Sequence, residues 1–374
     1  MNMLNRRDFL RSSLLGGIAA ATLPSFVLQS CTDQGTINAA AGTLDSRVSL
    51  VTGNDRADMA FRSLQPFAKE IAQAIGKKRV VLKPNFVNSS IQLSATHCET
   101  MEGILEFYKS INKLENCIIA ESTSDGPAMV AYDNYNYIPL GEKYNVPLLD
   151  IDETPIQLIY LIDELDFRPK PVRVTSLLMD RDNFVMSIAR MKTHDRVIAT
   201  LSLKNIVVGA PVKDIGFVSD RTRRPAGTVN DKPLVHGNGY RGINYNLFTC
   251  AYNLRPDFAF VDGYDGMQGN GPVRGTIIDS RVCFAGFDWM AVDRVGVELM
   301  GIDPTTIGYL TFCAQAGMGQ FDLSKIEVLG EKVADHIKPY QLPDSIERQL
   351  EWLTPLREAP TPPVVATPPP QPRS

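Results

Sequence analysis

The segment Arg190-Met191-Lys192-Thr193-His194-Asp195 holds the densest set of reactive side chains in this sequence. It follows an apolar run that reads as a buried strand. In extended backbone, residues two apart face the same side, so Lys192 and His194 share one face. Leu203-Lys204-Asn205 comes shortly after, ahead of the apolar Ile206-Val207-Val208-Gly209. A lysine beside buried apolar sequence is costly unless something compensates its charge, which assigns this cluster to function rather than to a solvated face. Lys83-Pro84-Asn85 adds a cation and a dual donor and acceptor where a strand ends, with Pro84 fixing the backbone. Lys83, Lys192 and Lys204 suit anionic charge, and Asn85 and Asn205 suit orientation of a ligand.

Further candidates lie at other predicted boundaries. In Ala95-Thr96-His97-Cys98-Glu99, Thr96 reads as a helix N-cap and Glu99 as its capping-box partner. His97 then sits at a helix start, where the dipole disfavours its protonated form. The simpler alternative makes His97 incidental to the caps. Glu121 stands at a strand end beside Ser122, Thr123 and Ser124, placed for a cation or a hydroxylated ligand. The run from Val261 to Gly275 carries Gly263, Gly266, Gly269, Gly271 and Gly275. Its length and glycine density read as a binding loop, with Gly269 and Gly271 allowing close backbone approach and Asp262 ending the strand before it. Asp288 is a natural helix N-cap and a candidate ligand contact; Asp293 falls on another face of that helix. The chain has four histidines. His236 lies in a polar, ligand-like segment, and His336 looks incidental. His97, His194, Lys192 and Asp262 are the candidate catalytic groups, and His97, His194 and Asp262 the candidate ligands of a divalent metal. Their spacing matches no zinc motif.

The elements that position these residues alternate. Short apolar runs at 79–82, 117–120, 146–149, 184–188, 258–261 and 282–285 read as strands. Helical spacing appears over 100–112 and again over 288–300. This pattern predicts an α/β fold with a mostly parallel sheet flanked by helices, its site at the strand carboxyl ends.

The two ends of the chain are different in kind. Asn5-Arg6-Arg7-Asp8-Phe9-Leu10 matches a twin-arginine export signal, and the apolar stretch from Leu14 to Leu28 is too short and too broken to span a bilayer. Leu28-Gln29-Ser30-Cys31 resembles a lipoprotein cleavage site, making Cys31 the lipid attachment point. Residues 1–30 are thus read as signal, 31–46 as tether, 47–345 as one α/β domain and 358–374 as a proline-rich tail. The expected partners are the twin-arginine translocation machinery, a membrane reached through lipid on Cys31, and a small-molecule ligand. The location is the cell envelope or periplasm. Removing residues 1–30 takes away Arg6, Arg7, Arg11 and Asp8, two net positive charges, so the formal charge goes from −4 to −6. An acidic surface argues against nucleic-acid binding. Cys98, Cys117, Cys250, Cys283 and Cys313 lack C-x-x-C spacing, so no iron–sulfur cluster is expected.

Taken in order, Lys83-Pro84-Asn85, Thr96-His97, Lys192-Thr193-His194, Lys204-Asn205, Gly269-Asn270-Gly271-Pro272 with Gly275, and Ala285-Gly286-Phe287-Asp288 with Ala291 and Asp293 resemble the domain of unknown function 362 family. The resemblance covers roughly residues 79 to 300. It implies no general activity. Some members carry ferredoxin-like cluster segments, for which this sequence lacks the cysteines. Where many members have Met-Glu-Gly, this chain has Met267-Gln268-Gly269. The functional expectation is an exported enzyme acting on an anionic or polyhydroxylated small molecule, with metal assistance as one option. A lipid-anchored binding protein without turnover is the alternative.

Overall fold

The computed structural model describes residues 46–354. The expected signal, Cys31, the tether up to residue 45 and the proline-rich tail lie outside the described residues. The strands are β1 Arg47–Thr52, β2 Arg79–Lys83, β3 Cys117–Glu121, β4 Leu148–Asp150, β5 Ile156–Ile162, β6 Pro169–Thr175, β7 Asn183–His194, β8 Ile198–Thr200, β9 Phe258–Asn270, β10 Arg274–Gly286 and β11 Glu327–Gly330. The main helices are α1 Arg56–Leu64, α2 Ala68–Ile75, α3 Cys98–Ser110, α4 Ala128–Asn134, α5 Tyr137–Tyr144, α6 Ser202–Gly209, α7 Tyr240–Cys250, α8 Trp289–Leu299 and α9 Gly308–Gln315.

The main sheet runs β11-β1-β10-β9-β7-β2-β3-β4, with β8 paired to β7. From β9 to β4 every pairing on this path is parallel. The β1–β10 and β10–β9 pairings are antiparallel. This is an α/β fold with a mostly parallel sheet flanked by helices. Strand β7 lies at its centre, and all twelve of its residues are buried. Strands covered on both faces are mostly apolar on both, and β7 is so from Phe184 to Ala189 apart from Ser187. Successive side chains alternate between two cores. Phe184, Met186 and Ile188 pack with α1–α5, whereas Val185, Ala189 and Met191 pack with α6–α9. β5 and β6 form a separate antiparallel hairpin.

Two local readings of the sequence need correction. The glycine-rich run is not a loop: β9 continues to Asn270 and returns as β10 in an antiparallel ribbon, Gly269 pairing with Gly275. Asp262 is therefore in the interior of a strand rather than at its end. The ribbon forms because Gly271 lets the chain press against Thr193 of β7, where a Cβ would collide with the Thr193 carbonyl oxygen. The carbonyl of Gly269 accepts a hydrogen bond from the Thr193 hydroxyl at 2.8 Å.

The N-cap of α3 is His97, not Thr96. Nδ1 of His97 accepts from the Glu99 amide at 3.3 Å. Thr96 is fully buried and its hydroxyl is committed to the sheet. It accepts from the Asn85 amide at 2.9 Å and donates to the Ile188 carbonyl at 2.8 Å. Both bonds tie the segment after β2 to β7. Thr96→Val keeps the volume but leaves two buried backbone groups unpaired, each costing roughly 1–3 kcal/mol. The expected loss is about 2 kcal/mol or more, read as a lower urea midpoint at unchanged m-value; a midpoint equal to wild type would remove this role.

Candidate functional site: a lysine-lined cavity

The carboxyl ends of β2, β3 and β7 open onto a cavity of about 270 Å³. Lys83, Asn85 and Glu121 line it from the sheet. His194 comes from the end of β7, Lys204 and Asn205 from α6, and Lys232 and His236 from the segment before α7. Of the residues singled out in the sequence, this cavity gathers Lys83, Asn85, Glu121, His194, Lys204, Asn205 and His236.

Lys83 is fully buried. Its amine donates to Glu121 Oε2 at 2.5 Å, to the Pro84 carbonyl at 2.9 Å and to Asn205 Oδ1 at 3.2 Å. Burial pushes its pKa down and the Glu121 carboxylate opposes this. A Cβ on Gly209 would lie 2.6 Å from the Lys83 amine, so glycine is needed where α6 passes over it. Asn205 donates to the Lys83 carbonyl and to Ser187 Oγ, both at 3.1 Å. α6 is held at its start by Asp293 of α8, which accepts from the Ser202 amide at 2.8 Å and its hydroxyl at 2.5 Å. The expected second carboxylate on α8, Asp288, caps that helix through the Met290 and Ala291 amides and does not line the cavity.

The other lysines are arranged differently. Lys192 is buried behind the cavity and hydrogen-bonds Asn85 Oδ1 and, at 2.8 Å, the Ser94 carbonyl. Burial and the neighbouring Arg190 and Lys204 hold its pKa well below the usual lysine value. Lys232 donates to the Gly209 and Pro211 carbonyls at 3.1 and 2.8 Å. Lys204 Nζ lies 2.9 Å from His194 Nε2. Burial lowers both Lys204 and Lys232 to about 7. The His194 and His236 rings stack with centroids 6.4 Å apart. Burial and Lys204 depress His194 well below its usual value and His236 to about 4. Lys213, paired with Asp152, donates to Ser122 Oγ at 2.9 Å at the cavity edge.

His97 and Asp262 belong elsewhere. Asp262 is fully buried, accepts from Thr100 Oγ1 at 2.7 Å and from the Tyr264 amide at 3.0 Å, and faces Arg56 at 3.7 Å. Arg56 also pairs with Asp265, and Arg190 donates to the Asp265 carbonyl at 2.9 Å. Burial and then Arg56 lower the pKa of His97 in this group. Its two carboxylates offset its two guanidinium groups. His97 and Asp262 therefore do not converge with His194. Among the described residues, no three His, Cys, Asp or Glu side chains gather to hold a metal. The expected metal triad does not fit this structure. The reason is the continuation of β9, which buries Asp262 in the sheet. Gly269 and Gly271 shape the ribbon, and only Pro272 beyond them reaches the cavity.

The family model for a domain of unknown function, DUF362, matches residues 80–298. The chain belongs to this family. The matched span contains every residue lining the cavity, from Lys83 to Pro272. A relative in the family resemblance is a thylakoid-associated protein of a Synechocystis species, 24% identical over 243 residues, covering 64% of this chain and 68% of that protein. A solved structure of a Thermotoga maritima protein matches at 9% identity with a TM-score of 0.32, covering 61% of this chain and 55% of that one. The chain thus spans about half the length of that Thermotoga protein.

Lys232 is a cavity residue that the sequence does not signal, and His236 is signalled only by its ligand-like segment. Both lie in a stretch without helical or strand periodicity, and a buried lysine there leaves no pattern. The buried amines generate a pH dependence. Lys204 and Lys232 fall from the ordinary lysine value near 10.5 to about 7 in the folded chain, so the unfolded chain binds more protons between those values. Stability therefore rises with pH across that window, by up to about 1.4 kcal/mol per pH unit for each amine. Denaturation in anion-free buffer from roughly pH 7.5 to 9.5 should show this slope, and Lys232→Met should flatten it. A wild-type curve with no rise over that range would contradict the assignment.

Proposed function

We propose that this is an exported, lipid-anchored enzyme whose cavity receives an anionic small molecule. The observation that carries the reading is a charge imbalance. Lys83 is matched by Glu121 and Lys213 by Asp152. Lys192, Lys204 and Lys232 are all buried, and no carboxylate forms an ion pair with any of them among the described residues. Burying a cation without an anion is costly, and a bound carboxylate or phosphate would supply the missing charge. A neutral polyhydroxylated ligand would not. Asn85 and Asn205 at the same wall can orient the anion, and depressed histidine and lysine pKa values in one cleft are typical of reactive sites.

The export reading rests on the first 31 residues. Arg6 and Arg7 followed by Phe9-Leu10 support twin-arginine targeting, and Ser30-Cys31 supports lipidation. Membrane attachment would then come from acyl chains, since no described helix is long and apolar enough to cross a membrane.

Binding of glutarate or inorganic phosphate should raise the melting temperature, because a ligand at 100 times its Kd stabilises the fold by about 2.7 kcal/mol. Affinity should fall as pH rises through about 7, since Lys232 loses its proton there. Lys232→Met should weaken binding roughly tenfold, about 1.4 kcal/mol. A panel of carboxylate and phosphate anions that leaves the melting temperature unmoved would end the reading. For targeting, Arg6→Lys with Arg7→Lys should retain the chain in the cytoplasm. Cys31→Ser should release it from the membrane fraction. Unchanged fractionation of both variants would exclude this route.

A further inference from the structure

The contact between Lys204 and His194 fixes more than charge. Nδ1 of His194 accepts the Arg196 amide at 3.0 Å, so it carries no proton. A neutral imidazole must then hold its proton on Nε2. That Nε2–H faces Lys204 Nζ at 2.9 Å. An ammonium there would set two donors against each other. The contact is satisfied when Lys204 is an uncharged amine accepting the Nε2–H through its lone pair. The low histidine and lysine pKa values at this pair agree with that protonation state.

The remaining amines near the cavity lack this arrangement. Lys83 is locked to Glu121, Lys213 to Asp152, and Lys232 donates to two backbone carbonyls. Lys192 is tied to Asn85 and Ser94 and does not line the cavity. Lys204 alone among these combines a facing donor with a place on the cavity wall.

We propose that Lys204 is an imine-forming nucleophile for a small oxo acid, held by its carboxylate among the neighbouring lysines. This rests on the anion-binding reading above. The amine lone pair forms a bond to the carbonyl carbon as the C=O π pair moves to oxygen. His194 Nε2–H, released from the lone pair, hydrogen-bonds that oxygen. One of the two protons on the new ammonium nitrogen passes to the oxygen, giving the carbinolamine. The hydroxyl takes a proton from solvent and leaves as water, and the nitrogen lone pair closes the C=N bond of an iminium ion. No electrons enter or leave. The product places a cationic electron sink beside the former carbonyl carbon, the general use of lysine in covalent catalysis.

The test uses the full folded chain with pyruvate and 2-oxoglutarate as probes, sodium cyanoborohydride to trap the imine, and peptide mapping by mass spectrometry. The expected result is a reduced adduct confined to Lys204, suppressed by excess glutarate and absent from Lys204→Met. Trapping should be greatest near pH 7, falling below it as Lys204 is protonated and above it as Lys232 loses the charge that holds the anion. The map of the unaltered chain stands without the variant, so a misfolded Lys204→Met does not decide the outcome. Glutarate stabilising the fold with no Lys204 adduct, or an adduct spread over exposed lysines regardless of glutarate, overturns the imine and leaves anion binding standing. Failure of glutarate and phosphate to stabilise, together with absence of a Lys204 adduct, overturns both.

Discussion

The buried ion pair between Lys83 and Glu121 organises the cavity. It joins the carboxyl ends of two neighbouring parallel strands, β2 and β3, at 2.5 Å, and Asn205 ties the same amine to α6. An isolated ammonium at this depth would cost several kcal/mol, so neither residue can be removed without leaving the other buried and uncompensated. Several other features follow from holding Lys83 there. Gly209 must lack a side chain, Asn205 must turn its amide toward the Lys83 carbonyl, and α6 must begin where Asp293 can cap it. That start point in turn brings Lys204 within reach of His194.

The fold keeps two kinds of buried charge in separate groups. Arg56, Arg190, Asp262 and Asp265 form a closed group in which carboxylates answer guanidinium ions. Around the cavity the cations outnumber the carboxylates. The first arrangement balances its charges, which is what a buried structural ion cluster needs. The second lowers stability unless something else arrives. Amines buried without a carboxylate hold their protons weakly, and the stability this costs is a feature binding sites often share.

Much of the architecture was legible because buried parallel strands are short apolar runs, and Arg79–Lys83, Cys117–Glu121 and Asn183–His194 announce themselves that way. Lys83, His194, Lys204 and Asn205 were legible because each is a polar residue abutting such a run. The ribbon at Phe258–Gly286 was misread because its glycines look like a loop; they are there to let one backbone touch another, a contact that composition does not encode. His97 and Asp262 share the polar look of the cavity residues, yet His97 is a half-buried cap of α3 and Asp262 is buried in β9 facing Arg56. Lys232 was missed because the chain between α6 and α7 folds by side-chain hydrogen bonds such as those Arg173 donates to Asp231, which have no sequence period.

The protonation state of the Lys204–His194 pair links the fold to the chemistry. The backbone after β7 turns so that the Arg196 amide meets His194 Nδ1, and this turn selects the tautomer. The tautomer decides which form of Lys204 the site favours. Raising the local dielectric would protonate the amine and set it against Nε2–H, so the burial that costs stability is the same burial that keeps the amine free. An arriving anion shifts the balance toward the ammonium by its charge, while a carbonyl carried on that anion consumes the uncharged form. A ligand bearing both groups would therefore be distinguished from a simple carboxylate by what it does with Lys204, even if both are drawn in by the same cleft.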